Sequence, residues 1–338
     1  MSRNVVLVDF NPPDNWKFID GLKKATEKEW EIKRYISNQA RTSLWAKVRR
    51  YLLYFAVPFD VFIKRNTFLN IIAWQQFYGL IFAFYCKLFR VKKINHLTIL
   101  TFIYKEKSGI VGKFYRKFME FLIDGPYIDE IVSYSSEECE HYKHLFPAQK
   151  DKFKYCLFGF EDSKEKFKEI VPESKGYLYS SGRSNRDYMF IIQSIKNTRH
   201  RLEIVCDTLP KTIETSLITI HNDLYLNEDY YRLIAESFCL VLSAENETVS
   251  SGQLVLLEAF QFGKPVIATQ SKGIEDYITN GVNGFLIPKS RDALLEKIEL
   301  LKNNEEMYHE MSLCARKTYD NKFTEKHLGE RIGNLIIR

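Results

Sequence analysis

Residues 239–269 constrain the fold more than any other part of the chain. An apolar run, Cys239-Leu240-Val241-Leu242, passes into a polar loop from Ser243 to Ser251. Gly252-Gln253-Leu254-Val255-Leu256-Leu257-Glu258-Ala259-Phe260 then reads as a helix, with Gly263 and Pro265 ending it. Val266-Ile267-Ala268-Thr269 is apolar and β-branched once more. Strand, loop, helix, strand is the unit from which parallel α/β sheets are built.

The same rhythm runs through the rest of the chain. In the second half, strands are expected over 177–180, 202–206, 217–221, 239–242 and 265–269, with helices between them. In the first half, Val5-Val6-Leu7-Val8 is a strand stopped by Asn11-Pro12-Pro13. A helix from Asp14 to about Lys28 and a strand over 30–36 complete a β-α-β opening. Further strands are expected over 69–74, 97–104, 130–135 and 153–158. Helices are expected over 43–62 and 77–89 and after a cap at Ser136. A charged stretch over 161–175, carrying Pro172 and ending at Gly176, reads as the boundary between domains. The expected organisation is residues 1–160, residues 161–322 and a closing helix over 323–338 that returns to the first domain.

Charge is divided unevenly. Residues 1–150 hold 24 Lys and Arg against 15 Asp and Glu, while the remainder holds 25 against 28. Basic clusters occur at Arg41, Lys47, Arg49 and Arg50, at Lys64 and Arg65, at Lys87, Arg90, Lys92 and Lys93, and at Lys113, Arg116 and Lys117. In 43–62 and 77–93 these alternate with aromatic and aliphatic residues. That pattern fits a surface laid on anionic lipid, or core helices with solvated charges. A membrane span over 68–89 is not expected: Asn70, Gln75, Gln76 and Lys87 interrupt it, and a 77–89 helix is only about 20 Å long. The N-terminus lacks a long apolar leader, so a cytoplasmic location, peripheral on the inner face of the membrane, is expected. Six cysteines without regular spacing read as reduced thiols, with neither a disulfide frame nor a metal site. The moderate charge and the lack of a binding module argue against nucleic acid as a partner.

The polar loop before Gln253 carries the chemistry. Ser250 with Gln253 has capping-box spacing, so the helix start should offer free backbone N–H groups beside Ser251, Gly252 and Leu254, a site for an anion. Glu258, two turns on, is a lone carboxylate in an apolar helix. A diol donating hydrogen bonds would satisfy it, as would a Lys or Arg partner. Gly182-Arg183-Ser184-Asn185-Arg186 follows the 177–180 strand, and two guanidinium groups there could grip phosphate oxygens. In the first half, Trp74-Gln75-Gln76 leaves a strand end and is a candidate acceptor lining. The alternative is a packed Trp with two capping glutamines. Lys105 is a weaker acceptor-side candidate, and His96 reads as structural.

The stretch from Ser250 to Ile267 resembles the donor-site signature of the retaining glycosyltransferases of family 4, which is Glu-x7-Glu, Ala, then Gly-Lys-Pro-Val-Ile. The resemblance implies a GT-B fold: two Rossmann-like α/β domains, each doubly wound, facing across a cleft, with a nucleotide sugar bound in the second. It further implies that Glu258 contacts the nucleotide ribose and that Gly182, Arg183 and Arg186 grip the donor diphosphate. The helix start at Ser250, Ser251, Gly252, Gln253 and Leu254 completes that donor site. Ser250 stands where the family's first Glu would contact the donor sugar, and Glu245 or Glu247 could substitute. The implied activity is metal-independent, cofactor-free transfer of a sugar, with retention, to an acceptor hydroxyl. The acceptor class is a lipid-linked saccharide of surface polysaccharide synthesis. Two alternatives remain open at this level: a nucleotide-sugar epimerase of the same fold, and a catalytically silent membrane-associated partner of another transferase. No Gly-x-Gly-x-x-Gly follows an expected strand, which argues against a dinucleotide oxidoreductase.

Overall fold

The computed structural model describes residues 3–35, 44–104, 106–224 and 226–337. Of the residues singled out above, Arg41 and Lys105 lie outside this set. The chain divides into two compact units, Met1–Cys156 with Gly329–Arg338, and Leu157–Leu328.

Unit 1 contains, in chain order, β1 (Arg3–Val8), α1 (Lys17–Thr26), β2 (Trp30–Arg34), α2 (Leu44–Ile63), β3 (Phe68–Ala73), α3 (Gln76–Leu88), β4 (His96–Ile99), α4 (Gly109–Ile123), β5 (Glu130–Ser133), α5 (Ser136–Leu145) and β6 (Phe153–Tyr155). Its six strands form one parallel sheet in the order β2-β1-β3-β4-β5-β6. Strands covered on both faces need continuous apolar runs. Val5 to Val8 supply one, with no exposed surface at any of the four. The core joins Val5, Leu7, Ile71, Leu97 and Ile131 of the sheet to apolar faces of α2, α3, α4 and α5. His96 meets Glu130 at 3.2 Å, a structural contact within the sheet.

Unit 2 contains α6 (Ser163–Lys166), β7 (Tyr177–Ser181), α7 (Tyr188–Ile195), β8 (Arg201–Val205), β9 (Ile218–His221), α8 (Glu228–Glu236), β10 (Cys239–Leu242), α9 (Gln253–Gln261), β11 (Val266–Thr269), β12 (Gly284–Ile287), α10 (Arg291–Asn303) and α11 (Glu305–Thr318). The sheet order is β12-β11-β10-β7-β8-β9, all parallel. Alternation along β7 shows how the sheet is clothed. Tyr179 joins the cluster formed with α8 and α9, while Leu178 joins the one formed with α7 and α10. The last helix, α12 (Glu325–Ile336), starts in unit 2, and its part from Gly329 onward belongs to unit 1. There Gly329 and Gly333 let it approach α1 closely. A Cβ at Gly329 would stand 2.1 Å from the Phe18 carbonyl oxygen.

Several expected boundaries shift. The first helix begins at Lys17, not Asp14, because Asp14 and Asn15 form a turn after Pro12-Pro13 and Trp16 takes the cap position. The strand expected over 97–104 ends at Ile99. Thr101 then adopts φ 55°, and its hydroxyl donates to the Trp74 carbonyl, turning the chain out of the ladder. The cap of α5 is Ser135, one residue earlier than expected. β12, which is not among the strands expected from the sequence, adds a sixth strand beside β11.

Candidate donor-binding site

In a doubly wound sheet, ligands bind at the carboxyl ends of the strands where the strand order reverses. In unit 2 that point lies between β7 and β10, which are hydrogen-bonded neighbours although far apart in sequence. Two loops leave there, 182–187 after β7 and 243–252 after β10.

Arg186 is their meeting point. Its Nε donates to the Ser181 carbonyl (3.0 Å), and one terminal nitrogen donates to the Ser184 carbonyl (3.1 Å) and to Ser251 Oγ (3.3 Å). Among the described residues no carboxylate pairs with it. Burial pushes its pKa below the usual arginine value. A half-buried cation held only by neutral oxygens is a site poised for an anion. Two glycines leave room for it. Gly182 (φ 113°) passes the guanidinium so closely that a Cβ would stand 3.1 Å from Nε. Gly252 (φ 101°) would place a Cβ 2.9 Å from Ile274 and 3.5 Å from Arg186. A hollow at this point is lined by Arg186, Ser243, Ser251, Gly252, Thr269 and Ser271.

Arg183, by contrast, is exposed and pairs with Asp207 through both carboxylate oxygens. The helix start also differs from the expected capping box. The positive φ of Gly252 interrupts the run, so α9 begins at Gln253 with Gly252 as its cap, and no side chain caps it. Gln253 instead donates its side-chain amide to Ser250 Oγ at 2.5 Å. The expected anion-binding feature remains, because the N–H groups of Gln253, Leu254 and Val255 precede the first helical bond, from Leu256 to the Gly252 carbonyl. Ser250 and Gln253 also press against Gly273, where a Cβ would lie 2.2 Å from Ser250 Oγ.

Glu258 is completely buried. Among the described residues neither a Lys nor an Arg meets it. The Tyr230 hydroxyl donates to its Oε2 at 2.6 Å, and Oε1 is enclosed without a hydrogen-bond partner. Burial raises its pKa to about 8, only partly offset by the Tyr230 bond, so the acid form predominates at neutral pH. Glu245 and Glu247 stand exposed on the loop.

Sequence reasoning missed Asn185, which holds the two loops together. Its amide nitrogen donates to the carbonyls of Asn246 (2.9 Å) and Val249 (3.2 Å) and to Ser251 Oγ (3.0 Å), and its carbonyl accepts from Asn246 N (2.7 Å). It does so at φ 56°, a conformation asparagine tolerates better than most residues. Lys289 adds a second tie, donating to Asp187 (2.8 Å) and to the Ala244 carbonyl (2.9 Å). The Arg186-Ser251 contact was foreshadowed by the Gly-Arg motif; the Tyr230–Glu258 bond had no sequence signal.

In unit 1 the acceptor-side candidates are engaged in packing and caps. Trp74 sits among the rings of Phe10, Trp16 and Phe18, with centroids 5.1–5.6 Å away. Gln75 caps α3 by accepting from Phe77 N, and the Gln76 side chain accepts from Ile103 N at 2.9 Å.

Residues 217–318 match the family described as glycosyl transferases group 1. That segment holds Glu258, the start of α9 and the 243–252 loop. An 82-residue stretch is 34% identical to the capsular polysaccharide biosynthesis glycosyltransferase CapM of Staphylococcus aureus, covering 24% of this chain and 22% of that protein. A 210-residue stretch is 25% identical to N-acetyl-alpha-D-glucosaminyl L-malate synthase of Bacillus anthracis, covering 60% and 49%. The chain thus spans about half or less of the curated relatives it matches. Over its full length it shares its fold with Anabaena HepE in complex with UDP-glucose, at TM-score 0.64, 13% identity and 100% coverage of both chains. The architecture of two six-stranded parallel sheets with helices is therefore that of GT-B glycosyltransferases.

Proposed function

We propose that the chain is a glycosyltransferase that moves a sugar, with retention, from a nucleotide sugar to an acceptor hydroxyl. The observation that carries this reading is the convergence at the β7/β10 strand ends. Among the described residues Arg186 has no carboxylate partner, two positive-φ glycines stand beside it, and the N–H groups of Gln253, Leu254 and Val255, which precede the first helical bond of α9, supply further donors. Negative charge grows on the leaving diphosphate as the glycosidic bond breaks, and pre-placed donors lower that barrier. Arg186 is the residue assigned to this charge. Arg183 joins it by exchanging Asp207 for phosphate, and the pair acts in place of a metal ion. HepE was solved with UDP-glucose, and the relatives belong to capsule and glucosaminyl chemistry, which supports a UDP-sugar donor here.

Glu258 Oε1 is the acceptor assigned to a ribose hydroxyl. Its full burial means that neighbouring side chains shift when the nucleotide enters, with Tyr230 keeping Oε2 in place. For the second substrate, the capsule relative and the basic first half support a lipid-linked saccharide, taken by a peripherally membrane-bound enzyme. The test is calorimetry with UDP, GDP, ADP and CMP, followed by release of UDP from UDP-sugars with native lipid extract supplied. Binding of UDP with sugar transfer supports the reading. Binding without any turnover favours a silent partner, and inversion of the donor sugar without acceptor favours an epimerase.

A further inference from the structure

From the outer faces of α2 and α4 we infer that unit 1 docks on an anionic lipid surface through these two helices together, with α3 between them as a floor. The inference deepens the membrane reading above but does not depend on which sugar is transferred. Each helix has two apolar faces. In α2, Val57, Val61 and Phe62 enter the core. Trp45, Val48, Leu52, Phe55 and Phe59 form a second stripe, within ~80° of the axis at 100° per residue, and all five are exposed, Trp45 at 71%.

In α4, Met119, Leu122 and Ile123 are buried, while Ile110, Val111, Phe114, Phe118 and Phe121 point outward, Ile110 at 75%. A second apolar face is not required by the fold, and exposed contiguous apolar surface of this kind marks a binding surface. The two stripes are joined across α3, where Tyr85 meets Phe59 (5.3 Å) and Phe84 meets Phe121 (6.4 Å). Sequence periodicity pointed to the 77–93 segment as the second lipid-facing helix. The structure buries most of α3 and brings α4 out instead.

Charge selects the occupant. Lys47 and Arg49 flank the α2 stripe, and Lys113 and Lys117 flank the α4 stripe. All four are exposed and pair with no carboxylate among the described residues. From Leu44 to Phe59 no acidic residue occurs. A second copy meeting this face about a two-fold axis would set the basic rim against itself. Lipid phosphates meet it with opposite charge while rings and aliphatic chains enter the interface. Among the described residues no helix is long and apolar enough to cross a membrane.

The full chain is mixed with vesicles of phosphatidylcholine alone or of phosphatidylcholine and phosphatidylglycerol in equal parts, sedimented, and assayed for bound protein. Binding to the anionic vesicles is expected, weakened by salt. W45S/F55S and F114S/F118S should each lower partitioning tenfold or more. K113Q/K117Q should lower it about fivefold per charge removed, with thermal stability and UDP affinity unchanged in all three. Equal binding of the variants, equal binding to neutral vesicles, or self-association abolished by W45S/F55S in a protein that ignores vesicles would each overturn the inference. Failure of UDP binding alone would strike the transferase reading and leave this one standing.

Discussion

The two sheets offer the same topological opportunity and fill it in opposite ways. In unit 2 the order reverses between β7 and β10, in unit 1 between β1 and β3. Beyond the first pair lie two glycines with positive φ, a half-buried arginine without a counter-ion among the described residues, and a helix start that no side chain caps. Beyond the second lie Phe10, Trp16 and Trp74, whose rings fill the corresponding space with edge and tilted contacts. A strand-end crevice is therefore an invitation that side chains accept or decline. Small residues and unpaired donors leave one crevice for a charged ligand, while interlocked rings, of which Phe10 and Trp74 stay partly exposed, occupy the other.

The sharpest way to break this contrast is to remove the cation. Arg186→Ala, alone or with Arg183→Ala, should lower the rate of UDP release from a UDP-sugar by about 100- to 1,000-fold, with far-UV circular dichroism unchanged. An unaltered rate would deny the unit 2 crevice its role. Trp74→Ala probes the other side. It should cost about 2–3 kcal/mol of stability in urea unfolding by opening a cavity among the rings, while UDP affinity stays constant. A loss of acceptor saturation without loss of stability would show instead that the ring cluster receives substrate.

The next effect is on pH dependence. Glu258 binds its proton more tightly in the folded state, at about 8 against an ordinary 4.5. Stability contributed by the protonated group is full below the unfolded value and is lost as pH rises through 4.5 towards 8. Thermal unfolding between pH 5 and 8 should therefore show a decline that flattens in Glu258→Gln, and identical slopes would reject the burial-driven shift. The smallest expected effect belongs to Asn185→Ala, which unties the loops and removes one hydrogen bond to Ser251 in the crevice wall. It should weaken UDP binding about tenfold by calorimetry, consistent with loss of one or two hydrogen bonds, and speed proteolysis of 243–252.

The strands of both sheets were legible wherever their sequence is a continuous buried run, as in Val5–Val8 and Cys239–Leu242, because coverage on both faces leaves no other composition. The helix α4 was not assigned from sequence. Its two apolar faces and interleaved lysines erase the single stripe that periodicity detects. β12 was missed because it is only four residues long and opens on Gly284, with Gly281 just before it. At the site, the Gly-Arg loop and Glu258 stood out by type and spacing. Asn185 did not, because its role depends on a backbone conformation and on partners 61 to 66 residues away. Nor could sequence show that Glu258 would be met by the Tyr230 hydroxyl, 28 residues before it.

The packing of Ser250 and Gln253 on Gly273 ties the identity of one loop to the other. Any side chain at 273 would displace Ser250 and the Gln253 amide that bonds it. A change at 273, outside the two loops of the crevice, would therefore be felt first at the start of α9, and through it at the donor site.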